Sequence, residues 1–347
     1  MKRVGNLYEK VCSLDNIQEA IMKASLGKRN RPFVKTILAR PAVYAGEVQT
    51  LLRTKTYVTS PYTVKVIKDG ASQKERTICK PRFYPDQIIH WALMLQLQPV
   101  LLHGMYEYTC GSVPGRGTSY GQKTIRKWLD GDYRGTKYCL KLDVTKFYPS
   151  IDTTLLKALF RRRLKDPDCL WLIDTILDSA PGLPIGNYTS QWFANFFLQG
   201  LDHYIKEELK IKYYLRYIDD MVLLGGNKKT LHKAQKAIDA YLHGLHLTMK
   251  GNWQVFLIDT RAIDFLGFRF YRNRTTLRKR NALRIRRRMA KISRKTQLGF
   301  RDACAVVSYW GWIKRSDSYN FYHRYVTPLV KLVDAKRRIR RYARTGA

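Results

Sequence analysis

The chain has 347 residues, 45% of them hydrophobic, enough to bury a large core and to build several layers of structure. Lys and Arg number 64 against 27 Asp and Glu, a net charge of +37. An excess of that size repels itself without a polyanionic partner, so it favours RNA or DNA and argues against acidic small molecules as the ligand.

Taken in chain order, residues 14–26 read as a helix, with Ser13 as N-cap and Ile17, Ala20, Ile21 and Ala24 on one face. Residues 28–53 are basic and resist assignment. Short extended runs at 57–67 and 76–79 suggest a hairpin about the turn Lys68-Asp69-Gly70-Ala71, and 86–102 suggests an apolar helix. Residues 153–165, 189–210 and 228–243 read as helices that alternate with strand-like runs, and 245–249 reads as a further strand. Residues 272–295 carry twelve Lys or Arg and no acid. Within them Ile285, Met289 and Ile292 recur at helical spacing, which leaves Arg284, Arg287, Arg288 and Lys291 on the other faces. Such a helix suits the phosphates and the wide, shallow groove of an A-like duplex, with no need to read sequence, and less well a calmodulin-type partner or a membrane surface. The last stretch, 301–345, reads as helical and ends in a basic run at 336–344 that suits RNA.

The chemistry lies in Tyr217-Ile218-Asp219-Asp220, flanked by the apolar runs 213–215 and 221–224 and followed by Gly225-Gly226. That pattern predicts a β-hairpin with two adjacent carboxylates at its turn. Adjacent aspartates repel unless a cation neutralises them, and oxygen-only ligands suit Mg²⁺. A solvated turn would account for the pair taken alone. Upstream, however, Leu140 and Leu142 alternate with Lys141 and Asp143, placing a third aspartate at a strand's end. Three carboxylates held rigidly on strands could bind two Mg²⁺ ions, roughly 3.5–4 Å apart, that activate a 3′-hydroxyl and stabilise a leaving pyrophosphate. The predicted metal set is Asp143, the adjoining Val144, Asp219 and Asp220. Lys250, after the strand expected at 245–249, could protonate or shield the pyrophosphate. Gly186 would let the backbone approach a nucleotide closely, and Gln191 could bond template bases or cap the following helix.

With these residues the chain resembles the reverse transcriptases from about residue 60 to 270. Asp143 sits where that family has its first metal-binding Asp, and Tyr217 to Asp220 match its YxDD box. The resemblance implies an α+β, right-hand polymerase with fingers, a ferredoxin-like palm and a helical thumb. It places Arg76, in Lys74-Glu75-Arg76-Thr77-Ile78, on the incoming triphosphate. Arg116, in Gly111-Ser112-Val113-Pro114-Gly115-Arg116-Gly117, falls in the template-side fingers loop. Phe265, Leu266 and Gly267, within Ile263 to Phe268, fall in the primer grip. Tyr148 takes the steric-gate position, so dNTPs are preferred to rNTPs.

Gly182-Leu183-Pro184-Ile185-Gly186-Asn187-Tyr188-Thr189-Ser190-Gln191 narrows the resemblance further. Most members of the family carry Gln and Pro where Ile185 and Gln191 stand here. The Ile-Gly-x-x-x-Ser-Gln form resembles reverse transcriptases of diversity-generating retroelements, which copy a template-repeat RNA with errors opposite adenine. The implied partners are the RNA template, the cDNA primer-product, dNTPs and a small helical accessory protein. A side chain that cannot hydrogen-bond at position 185 would loosen nucleotide selection by on the order of 1–3 kcal/mol. Adenine's part in this rests on the resemblance alone.

The expected organisation is a basic helical extension over 1–55, fingers with some palm over 56–137, palm over 138–270, and a basic thumb and tail over 271–347. No room is left for a separate nuclease domain. Two alternatives remain. One is a faithful prokaryotic reverse transcriptase of the intron, retron or phage-defence kind, although there is no maturase-sized extension. The other is an inactive RNA-binding protein on the same scaffold, although all three aspartates are intact. Cys12, Cys79, Cys110, Cys139, Cys169 and Cys304 are scattered without a Cys-x-x-Cys pair, which fits a reduced cytoplasm. His243 and His246, the one close histidine pair, read as surface. No signal peptide is apparent, and no apolar run reaches the ~20 residues of a membrane span.

Overall fold

The computed structural model of the chain describes residues 3–68 and 75–345. Four helices come first: α1 (Tyr8–Val11), α2 (Leu14–Ser25), α3 (Pro32–Ala39) and α4 (Pro41–Arg53). The Ser13 hydroxyl caps α2 by accepting from the Asn16 N–H, and Ile17, Ala20, Ile21 and Ala24 are buried. The basic stretch that periodicity left unassigned forms α3 and α4. Each starts on a proline, whose missing N–H costs nothing in a first turn. β1 (Thr63–Lys68) and β2 (Glu75–Lys80) pair antiparallel, with Val66 opposite Thr77 and Ile67 opposite Arg76. The turn expected at Lys68-Asp69-Gly70-Ala71 lies, beyond Lys68, outside the described residues, as does Lys74.

The chain continues through α5 (Ile88–Leu102), β3 (Thr109–Cys110), α6 (Thr118–Gly131), β4 (Tyr138–Leu142), α7 (Phe147–Ser150), α8 (Thr153–Arg163) and α9 (Pro167–Leu177). Next come α10 (Tyr188–Phe197), α11 (Gln199–His203), β5 (Tyr213–Tyr217), β6 (Asp220–Gly225), α12 (Lys228–Gly244) and β7 (Gln254–Leu257). The remainder is β8 (Ile263–Phe265), β9 (Phe268–Phe270), β10 (Thr275–Leu277), α13 (Lys279–Ser293), α14 (Phe300–Ile313), α15 (Tyr319–Tyr325) and α16 (Leu332–Thr345). The architecture is α+β. A five-stranded sheet has the order β3-β5-β6-β4-β7, and a three-stranded sheet the order β10-β9-β8.

Two sequence expectations give way here. The strand expected at 245–249 does not form. His246 adopts a left-handed backbone as the chain leaves α12, and only Met249 bridges to Val144. The strand forms later, as β7. The helix expected over 189–210 is broken after Phe197, where Leu198 leaves helical geometry.

The chain forms two compact units. One comprises residues 1–116, 141–223 and 232–254, and the other 117–140, 224–231 and 255–347. In the first, α2, α5 and α10 supply a core that includes Ile21, Leu93, Leu97 and Phe193. In the second, Phe265, Phe268 and Phe270 are buried with Ile285 and Met289 of α13, and Phe268 stacks on Trp312 at 5.4 Å between ring centroids. The β8–β9 turn places Leu266 and Gly267 both at positive φ (52° and 83°), the conformation of a two-residue hairpin. A side chain at Gly267 would collide with the Trp312 ring. No helix among the described residues is long and apolar enough to cross a membrane.

Candidate active site

Strand order brings the acidic residues together. β6 lies beside β4, so the turn leading into β6 stands next to the chain that leaves β4 at Asp143. Four successive residues of β5, Tyr213 to Arg216, are buried, as are Met221 to Leu224 of β6, which makes the support rigid. Only Ile218 and Asp219 join the two strands. Ile218 has φ 58°, a left-handed conformation that a β-branched residue adopts only under strong constraint.

Asp219 faces Asp143. Burial first, and then the Asp143 charge, push the Asp219 carboxyl up to about 6. Lys250 donates from Nζ to Asp143 Oδ2, and its backbone N–H donates to the Asp143 carbonyl at 2.9 Å. Asp220, the first residue of β6, has Lys141 Nζ 3.7 Å from its Oδ2. The three carboxylates therefore do not form one cluster. Among the described residues no group of three or more His, Cys, Asp or Glu stands close enough to hold a metal. Lys250 pairs instead with Asp143, and Lys141 with Asp220. The Asp143–Asp219 pair fits a hard divalent cation all the same. Its donors are carboxylate oxygens, and a cation between them would relieve the Asp143 charge that, after burial, raises Asp219. Val144 is fully buried, so any contact with such an ion would be through its backbone.

The residues expected at a nucleotide lie in the same unit. The Tyr148 phenol is pushed up to about 12, by burial and then by Asp219, while the nearby charges of Arg216 and Arg76 act in the opposite direction. The Leu183 N–H donates to the Tyr148 carbonyl at 2.8 Å, and the Cys79 N–H donates to the Ile185 carbonyl at 2.8 Å. The end of β2, which carries Arg76, is thereby tied to the Ile185 segment. Gly186 has φ 138°, and a Cβ there would collide with the Cys79 carbonyl. Ile185 is half-buried and Gln191 exposed. Gln191 lies within the first turn of α10, whose N-cap position is Asn187, so it does not cap that helix. Gly186 and Gln191 border a cavity of about 390 Å³ that Lys23, Lys28, Arg31 and Lys80 also line.

The expected nucleic-acid contacts are placed less uniformly. Arg116 is half-buried and donates to the Tyr106 carbonyl at 3.0 Å. Phe265 is fully buried, so its ring serves the core, and only Leu266 and Gly267 form the hairpin tip. On α13, Ile285, Met289 and Ile292 are buried, while Arg284, Arg287 and Lys291 are exposed. Arg288 is instead paired with Asp302 at 2.5 Å.

The sequence reading missed the group that supports the turn. Arg216, fully buried, donates from Nε to Asp202 Oδ1 at 2.7 Å and from Nη2 to Asp202 Oδ2 at 2.5 Å. Its Nη1 donates to Asn195 Oδ1 at 3.0 Å and to the Ile218 carbonyl at 2.9 Å. Tyr214 and Thr109 hydroxyls also donate to Asp202. Burial opposes the guanidinium charge, but Asp202 outweighs it and raises the Arg216 pKa. A signal existed: Arg216 interrupts an otherwise apolar strand one residue before the acidic box.

Residues 67–270 match the family described as reverse transcriptase (RNA-dependent DNA polymerase). The retron Ec73 reverse transcriptase of Escherichia coli is 26% identical over 196 residues, covering 51% of this chain and 60% of that protein, so the chain spans less than two thirds of that relative's length. Apo telomerase from Candida tropicalis aligns with TM-score 0.49 and 14% identity over 86% of this chain and 63% of that one. Telomerase from Candida albicans, in complex with the TWJ fragment of telomeric RNA, aligns with TM-score 0.48 and 12% identity over 78% of this chain and 56% of that one. The family match spans more than half of the chain and contains every acidic residue of the site, so the chain belongs to the reverse transcriptase (RNA-dependent DNA polymerase) family.

Proposed function

We propose that the chain is an RNA-directed DNA polymerase, and the observation that carries this reading is Asp219 facing Asp143 at the β5–β6 turn, within electrostatic reach of Tyr148. Mg²⁺ held by that pair would supply the charge stabilisation that nucleotidyl transfer needs. Asp143 and Asp219 would hold the ion, with a backbone oxygen of Val144, while Asp220 keeps Lys141 beside the site. Lys250 holds the Asp143 carboxylate and stands ready to give a proton to the leaving group. The Tyr148 ring crowds a 2′-hydroxyl, and Arg76 meets the triphosphate. Template RNA and cDNA product engage Arg116, the Leu266 and Gly267 tip, and the exposed basic face of α13. Residues 56–137, 138–270 and 271–347 act as fingers, palm and thumb.

The finer reading is mutagenic copying of a template-repeat RNA, with a small helical accessory protein as partner. It rests on Ile185, whose backbone is engaged by Cys79 while its side chain offers no hydrogen bond to position a nucleotide. A faithful enzyme of retron kind is the second reading, favoured by the likeness to the retron Ec73 protein. Sequencing cDNA made on a primed RNA containing all four bases separates the two. Errors concentrated opposite template adenines support mutagenic copying, and uniformly accurate cDNA supports the second reading. Ile185→Gln is expected to restore selection by roughly 1–3 kcal/mol, about five- to 150-fold in error rate. An unchanged error rate would remove Ile185 from the account.

A further inference from the structure

We propose that Arg216 is the positioning residue of the carboxylate turn: by holding the Ile218 carbonyl it fixes the backbone that sets how Asp219 meets Asp143. The proposal rests on the polymerase reading and adds to it a residue that never touches substrate.

Ile218 is the least comfortable residue of the site. Its left-handed backbone costs a β-branched side chain on the order of 1–3 kcal/mol and persists only where the surroundings over-determine it. Both of its backbone polar groups are held. The N–H donates to the Cys110 carbonyl at 3.2 Å, and the carbonyl accepts from Arg216 Nη1 at 2.9 Å. The neighbouring chain is shaped to match. Gly111 has φ 86°, a Cβ there would come within 3.0 Å of Ile218 Cδ1, and Asn195 Nδ2 donates to the Gly111 carbonyl at 2.9 Å. Asn195 thus joins Gly111 and Arg216 while its Oδ1 steers Nη1 toward Ile218.

The guanidinium is suited to this position. One edge forks onto Asp202, and the remaining nitrogen reaches Asn195 and Ile218 together. A lysine could keep the charge pair with Asp202, but one ammonium cannot span all three partners. If Arg216 served only to neutralise Asp202, the bond to Ile218 would be incidental. If it positions the turn, losing that bond lets Ile218 relax and Asp219 move away from Asp143. Partners that orient metal-binding groups in this way typically govern about 10–100-fold in metal affinity or activity.

The test is Mn²⁺ binding to the metal-free full chain, followed by electron paramagnetic resonance without nucleic acid, alongside kcat and KM on a primed RNA. Arg216→Lys is expected to weaken Mn²⁺ binding about tenfold and lower kcat at least as much, with KM for dNTP little changed. Ile218→Asn, whose side chain tolerates the left-handed region, is expected to recover part of that binding in the double variant. A role confined to the Asp202 pair predicts no recovery. Asn195→Ala leaves the Asp202 pair in place and is expected to weaken Mn²⁺ binding several-fold, which carries the test should Arg216→Lys not fold. Wild-type Mn²⁺ binding in Asn195→Ala and in any folded Arg216→Lys protein would overturn the proposal, even if melting temperatures fall. Asp219→Asn distinguishes the two levels: wild-type binding there would refute the metal reading itself.

Discussion

Two carboxylates next to β5, Asp202 buried and Asp219 half-buried, are treated in opposite ways. Asp202 receives the Arg216 fork and the Tyr214 and Thr109 hydroxyls, so its charge is met on every side by groups of the fold. Asp219 is turned toward another carboxylate and is pushed up to about 6. The same unit therefore compensates one aspartate fully and leaves the other short of positive charge. A compensated carboxylate holds structure together, whereas an uncompensated one holds a place for an external cation.

The largest effect should come from removing the uncompensated group. Asp219→Asn is expected to lower primer extension by about a thousandfold or more. RNA affinity should stay within about twofold, because the basic surface that sets it is untouched. A filter-binding assay beside the extension assay reads both, and full extension activity would end the assignment of Asp219 to the metal. The mirror experiment is Asp202→Ala, which strands the Arg216 charge. It should cost on the order of 3–5 kcal/mol of folding stability in a denaturant titration. A loss below about 1 kcal/mol would mean that the pair is not the strut its geometry describes.

The pH response sharpens the contrast at Asp219. Between about 4 and 6 the folded protein keeps a proton on Asp219 that the unfolded chain has released. Asp219 should therefore take stability away from the metal-free protein as pH rises through that window, and no more above about 6. The effect is read as the difference from Asp219→Asn, because His90, pushed down to about 4 by burial, contributes the opposite slope there. Mg²⁺ competes with the same proton, so its binding should weaken progressively below about 6 and it should stabilise the fold most above that pH. Melting curves at pH 5 and 7, with chelator and with Mg²⁺, test the sign. Asp219→Asn should remove the Asp219 contribution and leave the opposite slope of His90.

How much of this the sequence revealed follows from the range of each signal. The acidic box and Asp143 are legible because carboxylates in strand-like runs have no apolar role to play. The buried face of α13 is legible for the related reason that Ile285, Met289 and Ile292 repeat at helical spacing. The Arg216–Asp202 pair joins residues of a strand and a helix, and no local periodicity encodes that partnership. Arg288 is concealed by its Arg287 neighbour, since a run of arginines does not disclose which one meets Asp302. The strand expected at 245–249 failed because alternation there competes with a left-handed turn at His246, which pattern alone does not register.

The smallest predicted effect carries the comparison to α13. Arg284 and Arg287 are exposed and make no ion pair among the described residues, whereas Arg288 is paired with Asp302, which Lys295 first and then Arg288 hold below the usual carboxylate range. If compensated charges serve the fold and uncompensated ones serve ligands, the three arginines should separate in a salt titration of RNA–DNA duplex binding. Arg284→Ala and Arg287→Ala should each reduce the slope of log affinity against log salt by about 1, the signature of one lost phosphate contact. Arg288→Ala should leave that slope nearly unchanged and lower the melting temperature instead, because Asp302 loses one of its two cations. Equal slopes for all three would mean that internal pairing does not withhold a charge from nucleic acid on this helix, and the rule drawn from Asp202 and Asp219 would stop at the active site.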